Sequence, residues 1–228
     1  MKKRSVYGVI GMLLIAFFCP VSVSALSAEG DTYGIVIDGK FTDWQDKLKT
    51  DLYSRNDDYN IKKGSLLRDE STLYFYLNMN PTEHQGGYVN IQSGGYRLFL
   101  DGHEYIIDLN NKALDVSQIP VGTSKPVDLW VYDSHNWSSK VIQGGGAVYR
   151  YSKPGNISNT VLEMRIPLQE IVPDAKIIKK IEIAHEAIWD GRLIHTGADT
   201  GSFLITSAGA LMAVGGFIKF KKTGMKEK

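Results

Sequence analysis

Apolar and polar residues alternate with a period of two over most of the chain, which is the pattern of half-buried β-strands. In residues 72–79 the alternation puts Leu73, Phe75, Leu77 and Met79 on one face. The same pattern predicts further strands at 96–100, 104–108, 127–132, 147–151, 160–166, 177–188 and 192–196. Only residues 167–172 favour a helix, of a turn or two.

Turn residues separate these segments. Asp101-Gly102 and Asp190-Gly191 each stand between two strand segments and predict hairpins. Turns recur about every dozen residues, a spacing typical of a sandwich. We therefore expect an all-β fold, an antiparallel β-sandwich of jelly-roll type, that occupies residues 26–195 as one domain.

The N-terminus has the pattern of a secretory signal peptide over residues 1–25. A basic start at residues 2–4 precedes an apolar run at 9–18, and the small residues Val23 and Ala25 precede the expected cleavage point. The single cysteine, Cys19, lies within this segment. The mature protein would then have no thiol and no disulfide, so its stability must come from its core.

The C-terminal segment, residues 196–228, contains an uncharged run at 203–218, with Lys219, Lys221 and Lys222 directly behind it. An apolar run followed by lysines predicts one transmembrane helix, with the body outside the membrane and the tail inside. A helix of this length spans about 24 Å, which is short of the roughly 30 Å hydrocarbon core. A buried C-terminal core helix is the alternative interpretation.

Charge is unevenly distributed along the chain. Residues 26–202 contain 18 basic and 24 acidic residues, so this body carries a net charge of −6. An acidic body argues against nucleic acid or an anionic lipid surface as its ligand. It leaves room for a calcium ion or a neutral ligand.

Three segments suggest a family. Residues 37–44 have the sequence Ile-Asp-Gly-Lys-Phe-Thr-Asp-Trp, and residues 66–76 place an acidic turn before Leu-Tyr and an apolar strand. Residues 161–168 form a Glu-bearing strand that ends in Ile-Pro-Leu. In this order they resemble family 9 carbohydrate-binding modules and their DOMON-like relatives. The resemblance implies a β-sandwich whose usual role is non-catalytic ligand binding, most often to sugars.

These segments also have a structural interpretation. Asp38-Gly39 is the pattern of a tight turn, and Pro167 ends a strand and starts a helical turn. For Trp44 we favour a plug of one end of the sandwich over a sugar-binding platform. The segments therefore predict the fold more directly than they predict the ligand.

The C-terminal segment has a resemblance of its own. Thr196, Gly197, Ala198 and Asp199 precede the apolar run and the lysines. This arrangement is similar to the Firmicu-CTERM class of sorting signals in Gram-positive bacteria, and it implies recognition by a sorting or processing membrane protein. The alternative is a plain linker to a membrane helix that stays in place.

Sugar binding needs aromatic faces for stacking and polar groups that orient hydroxyls. The candidate ligand-binding residues combine both types near strand ends and loops: Trp130, Tyr132, Asp133, His135, Trp137, Trp189, Asp190 and Arg192. Trp130 and Tyr132 are two apart on one strand, so their side chains share a face. Trp137 and Trp189 are the favoured stacking residues. The alternative is that all four tryptophans pack in the core.

Cofactor signals are weaker. DOMON-like relatives include haem binders that ligate iron through Met and His or Lys, which makes Met79, Met164 and His185, all inward-facing by parity, the candidates. For calcium the candidates are loop and hairpin carboxylates: Asp57, Asp58, Asp101 and Asp108. Their alternative is a role as solvated turn residues.

No catalytic motif is present in the sequence. We therefore expect a non-catalytic, exported protein that is anchored at the cell surface and binds an extracellular ligand, in the first place a carbohydrate. A haem or redox-cofactor carrier and a surface adhesion or scaffold domain are the alternatives.

Overall fold

The computed structural model describes residues 33–57, 60–155 and 157–196, together with the backbone of 203–205. Most of their regular secondary structure is β-strand. The strands are β1 (Thr50–Leu52), β2 (Lys62–Arg68), β3 (Thr72–Asn78), β4 (Tyr96–Leu100), β5 (His103–Leu109), β6 (Thr123–Asp133), β7 (Ser139–Lys153), β8 (Ile157–Pro167), β9 (Lys180–Ala184), β10 (Arg192–Thr196) and β11 (Phe203–Ile205). The helical elements are α1 (Leu168–Ile171) and four single 3₁₀ turns at Thr42–Trp44, Asn110–Lys112, Val116–Gln118 and Ala175–Ile177.

All strand pairs are antiparallel, and hydrogen bonds join them in one sheet of order β1-β2-β3-β8-β7-β6-β5-β4-β9-β10-β11. The sheet curls so that β2 lies against β10 and β1 against β11. This curl wraps a single inner face around the main core. The prediction of an all-β, antiparallel fold is confirmed. All of these strands belong to one continuous, curled sheet.

The inner face supplies the core. Leu73, Phe75, Leu77 and Met79 are fully buried, as their shared parity predicted. Each such side chain contributes on the order of 1.5–3 kcal/mol when it leaves water. Because the inner face of each strand is buried in the core, only its outer face can contact other segments or a ligand.

The two expected hairpins differ. Asp101 and Gly102 both have positive φ, at 49° and 92°, and connect β4 directly to β5 as predicted. The prediction of one long strand over 177–188 is wrong, because β9 spans only Lys180–Ala184. There the chain turns, and the N–H groups of Ile188 and Trp189 both donate to the carbonyl of His185. The apolar pattern in the sequence continues past Ala184 because Ile188 and Trp189 are buried although they lie in a turn.

The outer surface of the sheet has two parts, which we name the covered face and the open face. On the covered face, residues 33–49 pack over the outward side chains of β2, β3 and β8 and form a second, smaller apolar cluster. On the open face, formed by β6, β5, β4, β9 and β10, no such segment of the described chain forms an apolar cluster over the sheet, and several outward side chains remain half-buried or exposed. They include Trp130, Tyr132, Ile106, Arg97 and Arg192.

The C-terminal predictions fall largely outside the described residues. Phe203–Ile205, the start of the expected membrane helix, instead form β11 and pair with β10. Residues 1–25, 197–199 and 206–228 are not among the described residues, whereas Thr196 ends β10 opposite Lys180. Within the described part, no helix has both the length and the apolar character needed to cross a membrane.

Candidate functional site

The central feature of the open face is an aromatic pair on β6. Val127, Leu129 and Val131 point into the core, so Trp130 and Tyr132 point outward. Their rings are stacked, with centroids 6.4 Å apart and planes 25° from parallel. Both side chains are half-buried. The pair thus places two nearly parallel aromatic rings, both partly open to solvent, on the outer side of β6.

A left-handed turn supports this pair. Asn110, Asn111 and Lys112 all have positive φ, at 48°, 52° and 63°. Non-glycine residues adopt this conformation at a cost of about 1–2 kcal/mol each, although Asn tolerates it better than most. Two hydrogen bonds hold the turn against β6. The Tyr132 hydroxyl donates to Asn111 Oδ1 at 2.5 Å, and the Asp128 N–H donates to Asn110 Oδ1 at 2.8 Å.

The turn places polar groups beside the aromatic pair. Asn111 and Lys112 are exposed, and Lys112 Nζ lies 3.5 Å from Asp108 Oδ2. Asp108 is the residue that pairs with Trp130 across β5 and β6. An exposed amide and an exposed ammonium group therefore lie near the aromatic pair, while Asp108 is buried and holds Lys112 from below. Aromatic area with a few polar groups is the combination that orients a polar ligand with apolar faces.

Two arginines continue the open face away from β6. Arg97 Nε donates to Glu104 Oε1 at 2.6 Å, and its Nη1 contacts Glu186. The guanidinium of Arg192 lies 3.8 Å from the ring centroid of Phe99. The hydrogen bond from Arg97 also holds the pKa of Glu104 below its usual range. β6 and β10 are four strand spacings apart, so the face from Tyr132 to Arg192 extends for about 19 Å.

The loop between β6 and β7 carries three other predicted residues. Asp133 Oδ1 accepts from the N–H of His135 at 2.8 Å, and the Asp133 carbonyl accepts from the N–H of Trp137 at 2.9 Å. The bond from the His135 N–H is the main cause of a lowered Asp133 pKa. Trp137 is 68% exposed and has φ of 59°. It is the most exposed tryptophan of the four, but it lies on the loop and not on the open face.

The remaining predicted residues lie at a cleft of about 570 Å³. Its lining is formed by Arg55, Asn56, Glu186, Trp189, Asp190 and Gly191. Trp189 is only 1% exposed and packs near Phe75 in the core, so its ring is not the exposed platform that we expected at this hairpin. Asp190 binds the backbone N–H and the Nε of Arg55, at 2.9 and 3.2 Å, and so connects two loops.

The structure therefore distributes the predicted ligand-binding residues over three places. Trp130, Tyr132 and Arg192 share the open face; Asp133, His135 and Trp137 share the loop after β6; Trp189 and Asp190 share the cleft. Sequence reasoning missed Arg97, Asn111 and Lys112. The Asn110-Asn111 doublet is a signal for positive φ that could have indicated the turn.

The covered face brings together the three segments that carry the family resemblance. Trp44, from the first segment, is 1% exposed, packs at a tilt against Tyr76 with ring centroids 5.3 Å apart, and donates from Nε1 to Glu163 Oε2 at 3.0 Å. The N–H of Gly39 donates to Glu163 Oε1 at 2.7 Å. Burial raises the pKa of Glu163 to about 7, against the opposing effect of these two hydrogen bonds. Trp44 is thus buried rather than exposed as a sugar-binding platform, and it packs on the outer face of β3 and β8.

The candidate cofactor residues occupy other places. Met79 and Met164 are buried in the main core, and His185 Nε2 lies 2.9 Å from the carbonyl oxygen of Gly94. Burial lowers the pKa of His185, which favours its neutral form. Of the candidate calcium carboxylates, Asp58 lies outside the described residues. The other three contact protein donors at separate sites: Asp57 at Lys62, Asp101 at the backbone of Lys179 and Lys180, and Asp108 at the N–H of Gly95.

No known protein family, curated protein or solved structure matches this chain.

Proposed function

We propose that this protein is a non-catalytic, exported ligand-binding protein, held at the cell surface by its C-terminal segment, that binds a carbohydrate on the open face. The observation that carries the proposal is the stacked, outward-facing pair of Trp130 and Tyr132. An aromatic pair of this kind on a sheet surface provides apolar area for the C–H face of a sugar ring.

The surroundings of the pair support a sugar rather than a purely apolar ligand. Asn111 and Lys112 present polar groups at one side, and Arg97 and Arg192 continue the surface at the other. Hydrogen bonds from such groups give a ligand its orientation, while the aromatic area gives affinity. The roughly 19 Å between β6 and β10 suits an extended oligosaccharide of several units.

The resemblance to family 9 carbohydrate-binding modules and DOMON-like domains is part of the proposal. Its support is the contact between Gly39, Trp44 and Glu163, which unites the first and third segments in one hydrogen-bonded network on the second segment's strand. A sandwich of jelly-roll type is the architecture that the resemblance implies. This network gives the three segments a role in stabilising the fold. The open face, on the other part of the outer surface, remains available for a ligand.

Surface attachment is supported by the sequence pattern of the two ends. The signal-like residues 1–25 and the basic, apolar C-terminal segment favour export with retention at the membrane. Thr196, Gly197, Ala198 and Asp199 would be recognised by a sorting or processing membrane protein. The net charge of −6 over the body favours a neutral ligand over a polyanion.

The test is binding of the full-length protein to a glycan array and to insoluble cell-wall polysaccharides. We expect binding by the wild type and its loss in a Trp130→Ala, Tyr132→Ala double variant. Trp137→Ala is the matched control, because it removes an exposed tryptophan that lies off the open face. Failure of the wild type to bind any glycan would overturn the proposal, and loss only in the Trp137 variant would move the site to the loop after β6.

A further inference from the structure

Two histidines and an aspartate meet at the end of β5 and β6. His103 begins β5, Asp133 ends β6, and His135 follows in the loop between β6 and β7. The ligand-type atoms of these three side chains all lie within 4.8 Å of one another. They are brought together by the pairing of β5 with β6, although 30 residues separate His103 from Asp133 along the chain.

The two histidine rings lie against each other. The imidazoles of His103 and His135 are stacked, with centroids 4.4 Å apart and planes 22° from parallel. Imidazole nitrogens are common ligands of transition-metal ions, so the stack places two such donors side by side.

The carboxylate lies beside the two stacked rings and contacts one nitrogen of each. Asp133 Oδ2 is 3.1 Å from His103 Nε2, and Asp133 Oδ1 is 3.7 Å from His135 Nδ1. His103 Nε2 is buried, and it faces Asp133 Oδ2 without the alignment of a good hydrogen bond. A metal ion bound to both atoms would satisfy the nitrogen and the carboxylate oxygen together.

We propose that His103, Asp133 and His135 form a binding site for a zinc-class divalent transition-metal ion. Two imidazole nitrogens and one carboxylate oxygen are a ligand set that Zn²⁺ uses with water in the fourth position. Carboxylate-only sites favour calcium or magnesium, so the two histidines select for a first-row transition metal. The site is distinct from the open face and does not depend on carbohydrate binding.

Metal binding needs only a local contraction. Tetrahedral Zn²⁺ ligands are about 3.4 Å apart, which follows from metal–ligand distances of roughly 2.0–2.2 Å. His135 is 67% exposed on a loop, so rotation of its side chain can close the gap to Asp133. The N–H of His135 already donates to Asp133 Oδ1, and Asn136 Nδ2 lies 3.3 Å from Oδ2, so the carboxylate is held in place from the loop side.

The ion would stabilise the loop after β6. His103 is on β5, and His135 is within the turn that also carries Trp137, so one ion would link the loop to the sheet. The exposed Trp137 side chain would then be presented from a fixed turn.

The test is calorimetric titration of the full-length protein, purified without a histidine tag, with Zn²⁺ at neutral pH. We expect one Zn²⁺ per chain, and a Co²⁺-loaded sample should show the visible absorption of four-coordinate cobalt. Loss of one ligand should weaken binding by at least about tenfold, as measured on His103→Ala and on His135→Ala. His84→Ala is the matched control, because it removes an exposed histidine outside the cluster.

Circular dichroism of each metal-free variant separates loss of a ligand from loss of the fold, and His135→Ala changes only an exposed side chain. A folded His135→Ala variant that binds Zn²⁺ as tightly as the His84→Ala control would overturn the proposal. Absence of Zn²⁺ binding by the wild type would also overturn it. Neither result bears on the glycan experiment, because the open-face residues are unchanged.

Discussion

The covered face and the open face each contain a tryptophan packed near a tyrosine. Trp44 and Tyr76 are 5.3 Å apart with planes at 31°, and Trp130 and Tyr132 are 6.4 Å apart with planes at 25°. The geometry of the two pairs is similar, but their surroundings differ. Residues 33–49 bury the first pair, whereas the second is half-buried at most.

The difference shows that coverage, rather than residue type, decides what an outward aromatic pair does. The indole N–H of Trp44 donates to the buried carboxyl group of Glu163, so its hydrogen bond is made within the protein. β6 belongs to both regions: a Cβ on Gly39 would collide with Ser124 at one end of the strand, while Trp130 and Tyr132 lie at the other. The start of β6 therefore packs against residues 33–49, whereas its later part, with Trp130 and Tyr132, belongs to the open face.

The strongest test of this comparison is Trp44→Ala. We expect it to lower the free energy of unfolding by about 3–5 kcal/mol, because it leaves a large cavity and removes a hydrogen bond from a buried carboxyl group. Denaturant unfolding measures the change. Trp44→Phe is the control that keeps most of the volume and removes the N–H, and it should show a smaller loss, of about 1–3 kcal/mol.

The second test uses the pH dependence that burial gives to Glu163. Its pKa is raised from 4.5 to about 7, so between these values the folded state retains a proton that the unfolded state has lost. Stability from this group is therefore complete below pH 4.5 and falls as the pH rises through 7, by roughly 3 kcal/mol in total. Glu163→Gln cannot ionise, so its stability should change less over this range. Equal slopes for the wild type and the variant in a pH series of unfolding curves would contradict the assignment.

A third test concerns the turn that supports the open pair. Asn111→Ala removes the acceptor of the Tyr132 hydroxyl and places alanine at a φ of 52°. Asn111→Gly removes the same acceptor but tolerates this φ. The alanine variant should be less stable than the glycine variant by about 1–2 kcal/mol in denaturant unfolding. Tyr132→Phe isolates the hydrogen bond alone, and similar stability of the two Asn111 variants would mean that the turn relaxes.

The fold was predictable from sequence where one local signal acted alone. Alternation identified the inward residues of β3, and Asp101-Gly102 identified the hairpin between β4 and β5, because both depend on neighbours along the chain. The end of β9 was not predictable in this way. Ile188 and Trp189 extend the apolar pattern, yet they are buried from a turn whose position depends on the core around Phe75.

The candidate site was predictable only in part, for the same reason. The shared face of Trp130 and Tyr132 follows from the two-residue period, but the support from Asn111 depends on a left-handed turn 21 residues away in sequence. Trp189 could not be distinguished from an exposed tip residue, because its burial comes from strands that are distant in the chain. His103 joins Asp133 and His135 only through the register of β5 and β6.

The smallest expected change in stability is at the open pair itself. Trp130→Ala should lower the free energy of unfolding by about 1 kcal/mol, because the half-buried ring loses only part of the contact area that a core tryptophan would lose. Denaturant unfolding under the conditions used for Trp44→Ala gives the direct comparison. A loss at Trp130 as large as the loss at Trp44 would mean that the open face is a second structural cluster. A small loss at Trp130, together with loss of glycan binding, would show that its ring is retained for contact with a ligand rather than for the fold.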